Sequence, residues 1–364
     1  MRATAGHVAS IILWLFAVTL GLSTTLAQAE TYRYQYIPFS QAKLPPGYGD
    51  FYPIVINDGA AVYGAAAIYD DSPYNPFPLA VYKNGVVTLL SDDYPYSNFY
   101  PVAGNESGTV GGFETDTSDY HTQAALFHGR HEELIPILPG DTNSQVVDLN
   151  DDGTALVVSW DADNNDTSSL YKKGKSTLLN FGLKPTGADV SVFGINNEGT
   201  IIGVANSVGF RHDPSTGKTI MLNPLPTEQH SWVVDINNKG NVAGYSYNNP
   251  NEKKRIGLWD KKGIFHTYFI EGTPGFPTNS ENLLFNDKNL IVITDASSNC
   301  YLVPKPGVGL NLADLVVNTP FLNWKPAYIK DINNEGDMIG YGSDFSWFLL
   351  KRIDAKTRVP AAVR

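Results

Sequence analysis

Asp331-Ile332-Asn333-Asn334-Glu335-Gly336, continued by Asp337-Met338-Ile339-Gly340-Tyr341, is the fullest form of a phrase that recurs along the chain. Close copies are Asp235-Ile236-Asn237-Asn238-Lys239-Gly240, Gly194-Ile195-Asn196-Asn197-Glu198-Gly199 and Asp148-Leu149-Asn150-Asp151-Asp152-Gly153. Weaker copies are Asn105-Glu106-Ser107-Gly108, Asn286-Asp287-Lys288-Asn289 and Asn57-Asp58-Gly59, the last one residue shorter. Their closing residues 59, 108, 153, 199, 240, 289 and 336 stand 49, 45, 46, 41, 49 and 47 positions apart. Asn tolerates left-handed dihedrals and bonds its own backbone, while Gly takes the positive φ of a tight turn, so each phrase reads as a hairpin. Repeats of about 40 to 50 residues made of short strands are the sequence signature of a β-propeller blade.

One repeat, 232–270, shows the whole unit. Strand a (Trp232–Ile236) turns at Asn237–Gly240 into strand b (Val242–Ser246). After a polar loop, strand c (Ile256–Trp259) turns at Asp260–Gly263 into strand d (Ile264–Tyr268). Equivalent second hairpins turn at Lys83-Asn84-Gly85, His128-Gly129-Arg130, Lys172-Lys173-Gly174, Asp213–Gly217 and Pro304–Gly309. The last unit ends after its strand c, Ser346–Leu350, and an unpaired strand, Tyr32–Phe39, waits at the other end. The expected fold is therefore all-β: a seven-bladed propeller of four antiparallel strands per blade over residues 30–354. Segment 31–39 would complete the last blade and protect its edge. Residues 355–364 form a tail.

The first 29 residues read as a leader. Arg2 precedes the apolar run Ile11–Val18 and the small-residue signal Ala27-Gln28-Ala29, which is the layout of a cleavable secretory signal peptide. The run is short of the roughly 20 apolar residues that span a bilayer, so no integral membrane segment is expected after cleavage. Removing Arg2 with the leader takes the net charge from −11 to −12. Such an acidic protein lacks the basic footprint that nucleic acid requires. A lone Cys300 excludes an internal disulfide and a cysteine metal cluster. The expectation is a secreted or periplasmic monomer without a cofactor.

The Asp-Ile-Asn-Asn-x-Gly-x-x-x-Gly-Tyr-Ser phrase, with an aromatic-ended strand c, resembles the HAF-type extracellular repeats of exported bacterial propeller proteins. The resemblance covers essentially the mature chain. Strand c reads Ile256-Gly257-Leu258-Trp259 or Ala124-Ala125-Leu126-Phe127 and departs from the His-Ala-Phe signature. It implies a secreted or periplasmic propeller and carries no catalytic residues across.

Chemistry-bearing motifs are sparse. Asp148–Gly153 imitates the start of a calcium loop. Ser159 stands where an EF-hand needs its bidentate Glu, and Leu156 stands where an integrin-type cage needs an acid. Sister turns carry Lys239 and Lys288 at ligand positions, so a hairpin turn is the expected role. His128 and His131, beside Glu132 and Glu133, fall at a c–d tip rather than on a frame of three converging ligands. No nucleophile elbow, phosphate loop or His-Glu-x-x-His occurs. Asp148, Asp235 and Asp331 recur on the innermost strand, where bonding to a neighbouring blade is expected.

Strand alternation sorts the loops by face. The a–b and c–d turns share one rim, with Lys83, Arg130, Lys172, Lys173, Arg211, Lys218, Lys261, Lys262 and Lys305. The b–c and d–a loops share the other, with Asp70, Asp71, Glu114, Asp116, Asp119, Asp161, Asp163, Asp295 and Asp344 beside Tyr94, Tyr96, Trp232 and Trp324. Eight residues before each turn-closing residue stand Phe51, Tyr100, Gln145, Ser191, Trp232, Glu281 and Tyr328, which differ from blade to blade. This favours one composite site at the ring mouth over seven identical pockets. The expected binding residues are Tyr100, His230, Trp232, Glu281, Trp324 and Tyr328; the competing reading is that large rings cap each blade's core. Three functions stay open: a non-enzymatic scaffold binding an extracytoplasmic protein or glycan, a polysaccharide hydrolase or lyase with carboxylates at the mouth, and a structural matrix or adhesion protein.

Overall fold

The hairpin phrase builds its turn through one side chain. In blade 5, strands a (His230–Ile236) and b (Val242–Tyr247) are joined by a turn in which Gly240 N–H donates to the Asn237 carbonyl at 2.8 Å, with Gly240 at φ 75°. The Asn237 side-chain oxygen accepts from the N–H groups of Lys239 and Asn241 at 3.1 and 3.0 Å and fixes the loop from inside. The same residue of every blade, from Asn57 to Asn333, makes the equivalent bond to the backbone four residues on.

The strand-b glycine of the phrase has a different cause. Strand a carries a bulge between Val233 and Asp235, which pushes the Trp232 carbonyl toward strand b. A Cβ on Gly244 would meet that oxygen at 2.1 Å, and Gly64, Gly112, Gly203 and Gly340 face the same obstacle in their blades at 2.0–2.2 Å. Only glycine fits there.

The computed structural model describes residues 32–67, 78–91, 97–116, 121–183, 190–249 and 252–354. The expected leader, the tail 355–364 and the rim residues Asp70, Asp71, Tyr94, Tyr96 and Asp119 lie outside them, as does the side chain of Asp116. The described residues form seven four-stranded antiparallel sheets. Six are built from consecutive strands. In the seventh, the N-terminal strand Arg33–Pro38 pairs with the last strand, Trp347–Ile353, from Arg33↔Ile353 to Pro38↔Phe348, and so supplies the missing strand d. Tyr34, Tyr36 and Phe39 of this segment are buried, the first two among Leu302, Trp324 and Phe348 of blades 6 and 7. Each core cluster is shared between neighbouring sheets: Phe51, Val62 and Tyr82 of blade 1 pack with Ile339 and Leu349 of blade 7. Stability accordingly comes from apolar faces stacked blade on blade.

Two hydrogen-bonded belts run around the turn side. In the first, the amide nitrogen of six of the seven leading Asn residues donates to the carbonyl of the same Asn in the next blade. This runs from Asn105→Asn150 through Asn333→Asn57 at 2.9–3.2 Å. In the second, the next residue accepts through its side chain from the backbone N–H of its counterpart one blade earlier. Asp58, Glu106, Asp151, Asn197, Asn238, Asp287 and Asn334 make a closed ring of seven such bonds at 2.6–3.0 Å. The second position needs only an acceptor, which explains why Asn, Asp and Glu interchange there. The bond from Asn334 to Asp58 is of the same kind as all the others, so the seam between last and first blades is closed like any other boundary.

Candidate functional site

The seven strands a enclose an axial channel of about 580 Å³ lined by Ile54, Val102, Val147, Phe193, Val234 and Lys330, with the belts at its turn end. Three carboxylates stand in its wall. Asp148 and Asp331 each bridge blades: one oxygen accepts from the following residue (Leu149 and Ile332, both 2.8 Å), the other from the next blade (Ile195 at 2.7 Å, Ile56 at 2.8 Å). This is the interblade role expected for them. Asp235 makes only the first bond, to Ile236 N–H at 2.7 Å. Burial raises all three, Asp148 to about 6 and Asp331 to about 7. Asp235, which burial and the charges of Asp148, Asp331 and Asp287 act upon without the second donor, rises to about 8. All three are partly open to the channel's interior, so water there moderates the desolvation.

On the turn side, among the described residues, three lysines are paired across or within blades, while Lys83, Lys173, Lys218, Lys262 and Lys305 are not. Lys172 pairs with Asp152 at 2.6 Å, Lys261 with Glu198 at 3.3 Å and Lys288 with Glu335 at 3.3 Å. In the calcium-like stretch, Asn150 and Asp151 belong to the belts, while Asp152 accepts from Thr154 and Lys172. At the c–d tip, His128 contacts Thr109 through Nδ1 and Glu133 through Nε2, both at 3.1 Å. Among the described residues no three His, Cys, Asp or Glu side chains are grouped to hold a metal.

The loop side is different. Tyr100 is 46% exposed and stacks on Phe113, its partner on strand b (5.2 Å, 20°). Tyr328 stacks on its own strand-b partner, Tyr341 (5.4 Å, 10°). Tyr341 in turn faces Phe345 and the edge of Trp347, which meets Tyr52 of blade 1. Phe345 is 82% exposed at φ 61°, a region bulky residues avoid. Trp232 is 40% exposed and lies against Phe193 of blade 4 (5.4 Å, 33°). His230, two residues earlier on the same strand, packs against Tyr247 (5.5 Å). Glu281 is exposed in the irregular start of its strand a.

Two expectations need correction. Trp324 is only 3% exposed: its ring packs on Tyr36 and Phe348, and its Nε1 donates to Asp344 at 3.2 Å. It caps the core of blade 7 and presents no binding surface. Phe51 is buried beside Phe39 and Tyr82, and the mouth position of blade 1 belongs to Tyr52, whose strand-b partner Ala65 directly follows Gly64. Counting back from Gly59 failed there because the turn is not one residue shorter: its closing, left-handed residue is Ala60 (φ 54°), whose N–H donates to the Asn57 carbonyl at 2.9 Å, and Tyr52 stands eight residues before it. The loop-side carboxylates are also less available than their composition suggests. Asp161, Asp295 and Asp344 accept from N–H groups within their own b–c loops and fold them. Phe113, Phe193, Tyr341, Phe345 and Trp347 were not anticipated. The residue after the strand-b glycine pairs with the mouth residue, which is the signal that would have found Phe113 and Tyr341.

These features define a seven-bladed β-propeller closed by its N-terminal strand, with an aromatic, variable mouth on the loop side. No protein-family model and no curated sequence matches the chain. Among solved structures, it is similar to the β-propeller domain of the Trilobed protease from Pyrococcus furiosus, described as having an open velcro topology (9% identity, TM-score 0.55, 86% of this chain and 97% of that one). It is also similar to YCF48 bound to D1 peptide (11% identity, TM-score 0.52, 88% and 97%) and to YCF48 from Cyanidioschyzon merolae (10%, 0.52, 87% and 98%). Likeness at these identities establishes the fold. No helix among the described residues is long and apolar enough to cross a membrane.

Proposed function

We propose that the chain is an exported, non-enzymatic propeller of the HAF-type repeat kind that binds an extracytoplasmic protein or glycan through its loop-side mouth. The observation that carries this reading is the set of packed aromatic groups at the mouth, with Tyr100 and Trp232 exposed and Tyr328 half-buried, set against a turn side whose hairpins are tied together by the belts and, among the described residues, offer no aromatic surface of this kind. Rings held by neighbours lose little freedom on binding and offer large contact area, which is how interface anchors work. Six of the described carboxylates in the channel and the loop-side loops are already engaged, which favours binding over hydrolysis. Asp148, Asp235 and Asp331 are bonded to backbone N–H groups within the channel, and Asp161, Asp295 and Asp344 fold loops. Glu114, raised to about 7 by burial and by Glu132 beside it, is a carboxyl pair that lines neither the channel nor the recess between blades 3 and 4.

The test is affinity capture from periplasm or culture supernatant beside a glycan array, with wild type and with Trp232→Ala and Tyr328→Ala. Loss of the captured partner in these variants, with Lys172→Ala unaffected, supports the reading. Loss only in turn-side variants refutes it.

A further inference from the structure

Beside the loop-side mouth, between blades 3 and 4, lies a recess of about 340 Å³. Its apolar lining includes Val158, Val192 and Phe193, whose ring is backed by Trp232 (5.4 Å, 33°). Polar groups are interleaved with these: Gln145 and Ser168 flank Val158 across the first three strands of blade 3, Asp166 lies two residues before Ser168, and Ser191 two residues before Phe193. Gln145 and Ser191 are the mouth residues of their strands, and among the described residues neither side chain takes part in an internal hydrogen bond. An amide with two donors and an acceptor, and a hydroxyl that does both, are thus presented to whatever enters. Among the described residues Asp166 is the one charged side chain in the lining.

We propose that this recess binds one or two pyranose rings of a neutral glycan. A pyranose has an apolar C–H face and a rim of hydroxyls that both donate and accept, so it needs an aromatic or aliphatic surface beside a few adaptable polar groups. A recess at the lower end of the usual ligand-site range suits a ligand of that size. Uronic and sulfated sugars are disfavoured: among the described residues nothing cationic lines the recess, and the chain as a whole carries a net charge of −11. The inference rests on the loop-side reading above and narrows its ligand.

The experiment is calorimetric titration of the mature protein with gluco-, manno-, galacto- and chito-oligosaccharides, and with a uronate oligosaccharide as the charged counterpart. At least one neutral series is expected to bind and the uronate not to. Gln145→Ala and Trp232→Ala should each weaken binding tenfold or more, Ser191→Trp should abolish it by filling the recess, and Lys172→Ala should leave it unchanged. Melting of each variant is followed alongside; Gln145 and Ser191 lie at the surface of the mouth, so their variants remain folded even if Trp232→Ala is damaged. Absence of neutral-sugar binding up to on the order of 10 mM, or binding unchanged by both Gln145→Ala and Ser191→Trp, overturns the inference. If no sugar binds while a captured protein partner is lost in Tyr328→Ala, the glycan is wrong and the loop-side reading stands. If every bound species survives all the loop-side variants, both fall.

Discussion

The channel carboxylates make an unusual demand: the protein should be more stable in mild acid than in mild alkali. Asp235 rises from 3.8 to about 8, with Asp331 near 7 and Asp148 near 6. A group that holds its proton longer when folded contributes stability fully present below its unfolded pKa and lost as pH rises through its folded one. Stability should therefore fall as pH rises from about 4 to about 8. Carboxylates that act the other way, such as Asp161 and Asp213, are held below 3.8 by bonds from Asn165 and Ser215, so their contribution changes only in stronger acid. Each tenfold change in proton affinity between the folded and unfolded chain corresponds to about 1.4 kcal/mol. If water in the channel leaves the folded Asp235 carboxylate with a proton affinity only about a hundredfold higher, its ionisation costs about 3 kcal/mol. In a chain of this size that is on the order of 5 °C in Tm. Asp235→Asn keeps the oxygen that accepts from Ile236 N–H and cannot ionise. Thermal melts at pH 5, 7 and 9 should show the variant higher than wild type by on the order of 2 °C at pH 5, where the unfolded carboxyl is already largely ionised, and by on the order of 5 °C at pH 9. A wild-type Tm that is flat or rises from pH 5 to 9, or a variant equally stabilised at both ends, would refute the reasoning.

Deleting residues 30–40 removes the buried Tyr34, Tyr36 and Phe39 and bares strand c of blade 7; aggregation, or a Tm lowered by roughly 10 °C or more, is expected in calorimetry. Trp324→Ala should cost about 3–5 kcal/mol in denaturant unfolding, whereas the 40% exposed Trp232→Ala should cost under about 1 kcal/mol and reveal itself in binding. Gly244→Ala must displace the Trp232 carbonyl and should lose about 1–3 kcal/mol, measured the same way. Calcium at millimolar concentration and chelator should leave the Tm unchanged, since the oxygens of Asn150, Asp151 and Asp152 are already engaged; a rise of several degrees would show a site that binds it.

The fold was legible because the repeated phrase has two jobs that few residues can share. Asn237 and its counterparts must shape their own turn through the oxygen and reach the next blade through the nitrogen, so the residue type and its spacing persist. Face assignment was legible too, since antiparallel strands must alternate. Burial within a loop was not. Trp232 sits in a strand whose pleat turns it toward the axis, whereas Trp324 precedes its strand and folds back onto Tyr36 through the bond to Asp344. Both look alike as an aromatic near a d–a connection. Carboxylate roles were hidden for a similar reason. Asp161 and Asp295 each close a loop with a residue four positions on, Asn165 and Asn299, and composition does not separate such a turn from an open acidic rim.

The division of labour between the two faces follows from where the backbone needs help. Hairpin turns at the axis bring seven segments of the chain close together and must satisfy their polar groups among themselves, which the belts do with Asn57 through Asn334. At the other end of strand a, the bulge aims one side chain per blade at the mouth, while only its carbonyl is held against a strand-b glycine, in five of the blades. That constraint acts on backbone and leaves the side chain unspecified. Tyr52, Tyr100, Gln145, Ser191, Trp232, Glu281 and Tyr328 can thus differ without touching a single belt bond, and exchanging one for another changes what the mouth recognises before it changes whether the ring closes.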